Sequence, residues 1–262
     1  IMIGSIVSLY FSSVKLVSIV YFTKATNATS VESAQTYVQH AIQLQNKNDN
    51  YYRTLSSLYL NQLGTLLSKD KNTQNLQTNV QGLLNAAQQS STQAVSIDSN
   101  NYSNWLSLGQ FFQSATMLQA EGDPYKNGVT SYEKAAYFVP NSPAIPLAQA
   151  RLELANKNIP AAQDFITKSL SLKKGYVAGY QLRAQIAFDA KDYKESINQL
   201  SQAIVLNPQV SDLYVSRGML YNQTGAYVDA ANDFRMAFNL NSNPNTAYLL
   251  AQAAIRINAF EE

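Results

Sequence analysis

The sequence predicts an all-α solenoid of antiparallel helix pairs, and three observations lead there. Apolar residues recur at spacings of three and four, the period of a helix with one buried face and not of a strand. The chain also repeats itself. Tyr180-Gln-Leu-Arg-Ala184 matches Tyr214-Val-Ser-Arg-Gly218 at an offset of 34, and the same offset joins Tyr193 to Tyr227, Leu200 to Phe234 and Ala203 to Ala237. Finally, Pro140 and Pro208, with the asparagines beside them, stand where the second helix of a unit must end.

In residues 211–244 the first helix carries Tyr214, Gly218 and Tyr221, and the second Gly225, Tyr227, Ala230, Phe234 and Ala237. This pattern at this period resembles a tetratricopeptide repeat. Residues 177–210 resemble another, and 143–176 fit the frame through Ala150, Ala162 and Ile166. Residues 102–142 open with Trp105, Leu108, Gly109 and Phe112, close with Ala135 and Pro140, and run seven residues over the period. One extra turn on each helix is expected to absorb them. Residues 245–262 read as a truncated further unit. Small residues at Gly109, Ala150, Ala184 and Gly218 let paired helices approach, while Trp105, Tyr132 and Phe234 fill the space between units. The resemblance implies a right-handed superhelix whose first helices line a concave surface.

Upstream, residues 25–101 read as longer, divergent helical repeats. Ala34, Val38 and Ala41 mark one helix, and Tyr52, Leu55, Tyr59 and Leu63 the next. Leu83, Leu84, Ala87 and Ala94 mark a long third, after a turn at 69–74.

Composition excludes several functions. The 262 residues carry a net charge of +2 and only 14% charged residues, so no broad field draws nucleic acid. There is no cysteine, hence no disulfide and no thiolate metal site. His40 is the single histidine, which rules out a Ser-His-Asp triad and a multi-histidine metal site. Gly122 and Gly128 have no partners at phosphate-loop spacing, and Glu121 and Asp123 fall in a turn. No catalytic, cofactor-binding or metal-ligating residue is assigned, and no cofactor is expected.

The chain starts on Ile1 and ends on Glu261-Glu262. Both ends read as cut from a longer polypeptide, with the terminal glutamates opening a second helix at its positive end. Residues 1–22 hold one charge, Lys15. Residues 1–24 therefore have two readings, the end of a membrane span or the first buried helix of the solenoid. The order of this apolar helix, a short repeat and then Asn48-Asp49-Asn50-Tyr51-Tyr52-Arg53 is similar to the repeat-bearing tail of bacterial membrane proteins of the O-antigen ligase or polymerase type. That likeness implies a bacterial cell-envelope protein, membrane-anchored, with its repeats outside the cytoplasm.

Repeat geometry implies concave-groove residues at Leu106, Gln110 and Gln113, at Leu147, Arg151 and Leu154, at Gln181, Gln185 and Phe188, and at Val215, Met219 and Asn222. Repeat domains that grip a C-terminal carboxylate use lysine and asparagine at such places. Glutamines and apolar residues stand here instead, which suits an extended peptide or apolar helix, and also a glycan. Arg217 is expected to pair with Asp233 on the neighbouring helix, whereas Arg183 has Gln199 at the matching place. The reading is thus a non-catalytic protein–protein interaction scaffold. Its alternatives are the soluble part of a cell-envelope glycan ligase or polymerase, and a self-assembling surface protein whose apolar end (Ala253, Ile255) stacks on another copy.

Overall fold

The computed structural model describes residues 2–68 and 75–261, with side chains described over 12–68 and 75–257. Every element among the described residues is helical, and the chain forms two compact units, 1–158 and 159–262. The turn expected at 69–74 lies outside the described residues.

The first unit holds α1 (Met2–Thr26), α2 (Val31–Leu44), α3 (Asp49–Ser68), α4 (Leu76–Ile97), α5 (Tyr102–Met117), α6 (Pro124–Phe138) and α7 (Ala144–Ala155). The helices α1 and α2, α3 and α4, and α5 and α6 pack as sequential pairs. Starts are set by side-chain caps. Ser30 Oγ accepts from the Ser33 N–H, and Asp123 accepts from the Lys126 N–H with Pro124 at the first helical position. Ala34, Val38 and Ala41, spaced four and three apart, form the buried stripe of α2. Val38 and Ala41 join a core with Ala25, Tyr51 and Leu55. A second core gathers Leu63, Leu84, Ala87, Leu108, Phe111 and Ala115. Gly109 is required where it stands, because an added Cβ would overlap the ring of Tyr132, which is fully buried against Ala148 and Leu152.

The long unit at 102–142 does not add a turn to each helix. Compared with residues 177–210, α5 gains three residues, α6 one, and the connecting turn the other three. Gly122, with φ of 86°, sits in that widened turn. A longer loop is the less costly solution, because closure entropy grows only slowly with length.

The second unit holds α8 (Ile159–Leu172), α9 (Val177–Asp189), α10 (Tyr193–Leu206), α11 (Ser211–Gln223), α12 (Tyr227–Leu240) and α13 (Pro244–Glu261). Both ends of α9 and α11 are 34 residues apart, and so are both ends of α10 and α12. The turns repeat as well. Lys191 and Gly225 take left-handed φ values of 61° and 84°. Behind them the Asp192 N–H donates to the Ala187 carbonyl and the Ala226 N–H to the Tyr221 carbonyl. This is the Schellman closure of a helix end. Gly225, read from sequence as part of the second helix, belongs to this turn. Lys157 closes α7 in the same way, with φ of 60°.

A Cβ on Gly218 would lie 2.7 Å from Phe234 Cε1, so glycine is what lets α11 and α12 meet. Ala184, Leu200, Ala203, Leu213, Tyr214, Leu220 and Ala237 form the main core, with Tyr180 packed at its edge. At the C-terminal end α13 buries Ala253 and leaves Ile255 exposed. Glu261 does not open a second helix, since α13 runs unbroken from Pro244 to Glu261; Glu262 lies outside the described residues. A helix continues where no breaker stops it, and none follows Pro244.

Candidate functional site

Helices α9 and α11 each place one stripe of residues, three or four apart, along a common cleft. Gln181, Gln185 and Phe188 come from α9, and Ser216, Met219 and Gln223 from α11. Together they enclose about 420 Å³ over a floor of Ala184, Leu200 and Leu220. Ser196 also lines the floor, but its hydroxyl donates to the Ala184 carbonyl at 2.8 Å.

The walls combine amides with two exposed apolar groups. Phe188 is 40% and Met219 49% exposed. Gln185 Nε2 donates to Asp189 Oδ1 at 2.9 Å and Gln223 Nε2 to the Tyr193 hydroxyl at 2.8 Å. These bonds fix the two amides and leave their oxygens to accept from a ligand. No ionisable side chain lines the cleft. The two apolar groups matter because neutral amides alone compete poorly with water.

Four of the sequence-derived groove residues, Gln181, Gln185, Phe188 and Met219, thus share one cavity. The others do not join it. Asn222 is half-buried, and its Oδ1 has no hydrogen-bond partner among the described residues. In the first unit Gln110 and Arg151 are exposed. Gln113 Oε1 accepts from the buried Tyr132 hydroxyl at 3.2 Å. Burial pushes that hydroxyl well above the usual tyrosine range, partly offset by the charge of Arg151. Leu106 and Leu154 are half-buried, as is Val215 in the second unit. Leu147, expected to be exposed in the groove, is 1% exposed instead, because α7 is buried on nearly every side, at 145–148, 150, 152 and 153.

Ser216 and Gln223 were missed from sequence. The available signal was the register itself, since Gln223 stands 34 residues after Asp189 at the end of the matching helix. The first unit has a cleft of the same size, about 420 Å³, lined among others by Gln39, Gln43, Tyr52, Tyr59 and Gln93. It lacks an exposed aliphatic or phenyl group like Met219 and Phe188.

Arg217 donates through Nε and Nη2 to both carboxylate oxygens of Asp233, each at 2.8 Å, and through Nη1 to Ser201 Oγ at 2.9 Å. The bonds to Asp233, against the cost of burial, raise the guanidinium above its ordinary range. Its rings of contact are Tyr214 and Tyr221, 5.9 and 5.8 Å away. The pair is therefore internal to the helix packing and faces no ligand. His40 is exposed on α2, with Nδ1 3.3 Å from Gln43 Oε1. Among the described residues no three His, Cys, Asp or Glu side chains are grouped to hold a metal ion. None of the helices, over those residues, is long and apolar enough to cross a membrane.

These helix pairs, held at a 34-residue register with recurring Schellman turns and a glycine-to-phenylalanine contact, have the tetratricopeptide fold. No protein-family model matches the sequence. No curated protein matches it either. Among solved structures the chain is similar to two crystal structures of MamA, each at 16% identity. One gives a TM-score of 0.45 over 65% of this chain and 96% of that one, and the other 0.44 over 71% and 91%. It is also similar to YrrB, described as a TPR protein with an unusual peptide-binding site, at 12% identity and a TM-score of 0.43, over 82% of this chain and 97% of that one. The chain's own 34-residue register defines the fold.

Proposed function

We propose that the protein is a non-catalytic interaction scaffold whose second unit holds an extended, uncharged peptide segment. The observation that carries this reading is the α9–α11 cleft, where exposed Phe188 and Met219 stand among glutamines with no charged side chain in the lining. Amide side chains suit a peptide backbone, because each offers a donor and an acceptor at peptide-like spacing. The two apolar groups give one ligand side chain a place to leave water, worth about 1.5–3 kcal/mol when fully buried.

A phage-displayed random heptapeptide library panned on the protein tests this. Selected peptides should share one large apolar residue flanked by uncharged ones. The double substitution Phe188→Ala and Met219→Ala, on two exposed side chains, should weaken such peptides about tenfold or more without altering the circular dichroism. A consensus of acidic C-termini, or affinity that survives the double substitution, would sink the reading.

A second element of the proposal concerns α1. Leu16, Val17, Ile19 and Val20 are all exposed on it, and Leu16 is 64% so. Their bearings at about 100° per residue cover one arc of about 160°, and among the described side chains of α1 only Ser18 and Ala25, on the opposite side, are buried. The helix has no acidic residue and two lysines, Lys15 and Lys24. An apolar surface with basic residues alone suits the headgroup region of an anionic bilayer. We therefore propose attachment to a lipid surface through α1. Vesicles of phosphatidylglycerol and phosphatidylcholine should co-sediment the protein, and Leu16→Glu with Ile19→Glu and Val20→Glu should return it to the supernatant. Wild-type protein that stays in the supernatant would remove this element and leave the peptide reading intact.

A further inference from the structure

The register exposes a vacancy in the second unit. Ser201, Arg217 and Asp233 form one closed set, in which the guanidinium is gripped by the carboxylate and steadied by the hydroxyl. Thirty-four residues earlier stand Thr167, Arg183 and Gln199. The hydroxyl bond survives, with Arg183 Nη2 donating to Thr167 Oγ1 at 2.9 Å. The carboxylate does not, and Gln199 turns away to donate to Glu195 Oε1 at 2.7 Å. Gln199 is only 9% exposed, and its Oε1 has no hydrogen-bond partner among the described residues. An orphan acceptor of that kind costs stability unless something fills it.

Both residues line a trough of about 530 Å³ between α8, α9 and α10. Its buried apolar lining is Ile186 and Ala187, with Ala190 exposed beyond them. Charge is divided along its length. Arg183 and Thr167 mark one end, and Asp164, Asp192 and Glu195 the other. On α9 the walk from Arg183 to Ala190 is seven residues, or about 10 Å at the helical rise. On α8 and α10, which run the opposite way, Asp164 and Glu195 lie about one turn before Thr167 and Gln199. Among the described residues Glu195 accepts only from the neutral amides of Gln199 and Asn198, and no cation pairs with it. Asp192 is committed to capping α10 through the Glu195 N–H. Among the described residues the lining thus holds one guanidinium short of a carboxylate and three carboxylates short of cations, over a strip that suits methylenes.

We propose that this trough binds a lysine-like zwitterion, a carboxylate and an ammonium held apart by an aliphatic chain. The ligand carboxylate takes at Arg183 the place that Asp233 takes at Arg217. The stem lies on Ile186 and Ala187. The ammonium lies among Asp164 and Glu195. Free lysine and a C-terminal lysine both supply this chemistry. The site is separate from the peptide cleft and does not depend on it.

Isothermal titration of the whole chain with four probes tests the assignment. L-lysine and the capped peptide N-acetyl-Ala-Ala-Lys both carry the two charges, and binding of the peptide marks the chain terminus as the source, whereas binding of L-lysine alone marks the free amino acid. L-norleucine lacks the terminal ammonium and cadaverine lacks the carboxylate, so each should bind at least about tenfold more weakly. Gln199→Asp should give Arg183 its internal partner, abolish binding and raise the melting temperature. Arg183→Gln should also abolish binding. No binding of either charged probe at millimolar concentration, equal binding of norleucine or cadaverine, or wild-type affinity in Gln199→Asp would each overturn the proposal.

Discussion

Replacing Asn104 by leucine is expected to cost about 3–5 kcal/mol of stability, read as a lower urea midpoint. Asn104 is fully buried. The two hydrogens of its Nδ2 are shared among three acceptors, the carbonyls of Ala94 and Asp98, at 3.0 and 2.7 Å, and Asp49 Oδ2 at 3.0 Å. Its Oδ1 accepts from Arg53 Nη1 at 2.6 Å. One side chain therefore satisfies the carbonyls that end α4, and ties them to the carboxylate and guanidinium at the start of α3. Leucine has nearly the same shape and none of the bonds. Each group left buried and unpaired costs about 1–3 kcal/mol, and some recover water at the surface. A loss below about 1 kcal/mol would show that the network contributes position and little energy.

The same network sets a pH response. Burial raises the Asp49 carboxyl, but hydrogen bonds from Asn104 and Asn101 and the charge of Arg53 outweigh it and hold it below the usual carboxylate range. A folded pKa below the unfolded value of about 3.9 means that the contribution is complete above that value. It is lost as pH falls through the folded pKa. Asn104→Leu should flatten this acid limb as well as lower the plateau, because the hydrogen bond that depresses the carboxyl goes with it.

The network also shows where sequence reasoning runs out. The repeat was legible because its signals are local and periodic. Gly218 needs glycine against Phe234, and Ala184 and Ala203 stay small at fixed distances, so self-comparison finds them. Asn104 reaches Asp49 across 55 residues, and no period connects them. The turns were half legible. Gly225 is the residue expected at a left-handed helix end, but Lys157 and Lys191 hold the same conformation, at a cost tertiary packing covers. Groove residues were legible to the helix face and no further. The resemblance to the repeat family assigned Gln181, Gln185, Phe188 and Met219 to one surface, and they line one cavity. It also placed Leu147 on that surface, because spacing alone cannot tell an exposed leucine from one covered by a neighbouring helix.

Removing the Asp233 carboxylate, as in Asp233→Ala, is expected to destabilise the second unit by about 3–5 kcal/mol, the loss typical of breaking a buried pair from one side. Asp233 has 6% of its side chain exposed and Arg217 19%, so neither charge regains much water when the other is gone. Ser201 Oγ then remains as a single neutral acceptor for a guanidinium that had three bonds. The contrast with the preceding repeat makes the test sharp. Arg183 faces Gln199 without unfolding that repeat, and it has the trough beside it through which water reaches the guanidinium. Arg217 instead lies between the rings of Tyr214 and Tyr221. Changing both partners, Arg217→Met with Asp233→Leu, should cost far less than either single change, since no orphan charge is left. A double-mutant cycle in urea measures the coupling. Single and double variants that lose the same stability would mean that the helices depend on their apolar contacts alone at this place, and that the carboxylate at position 233 is replaceable by any residue of its size.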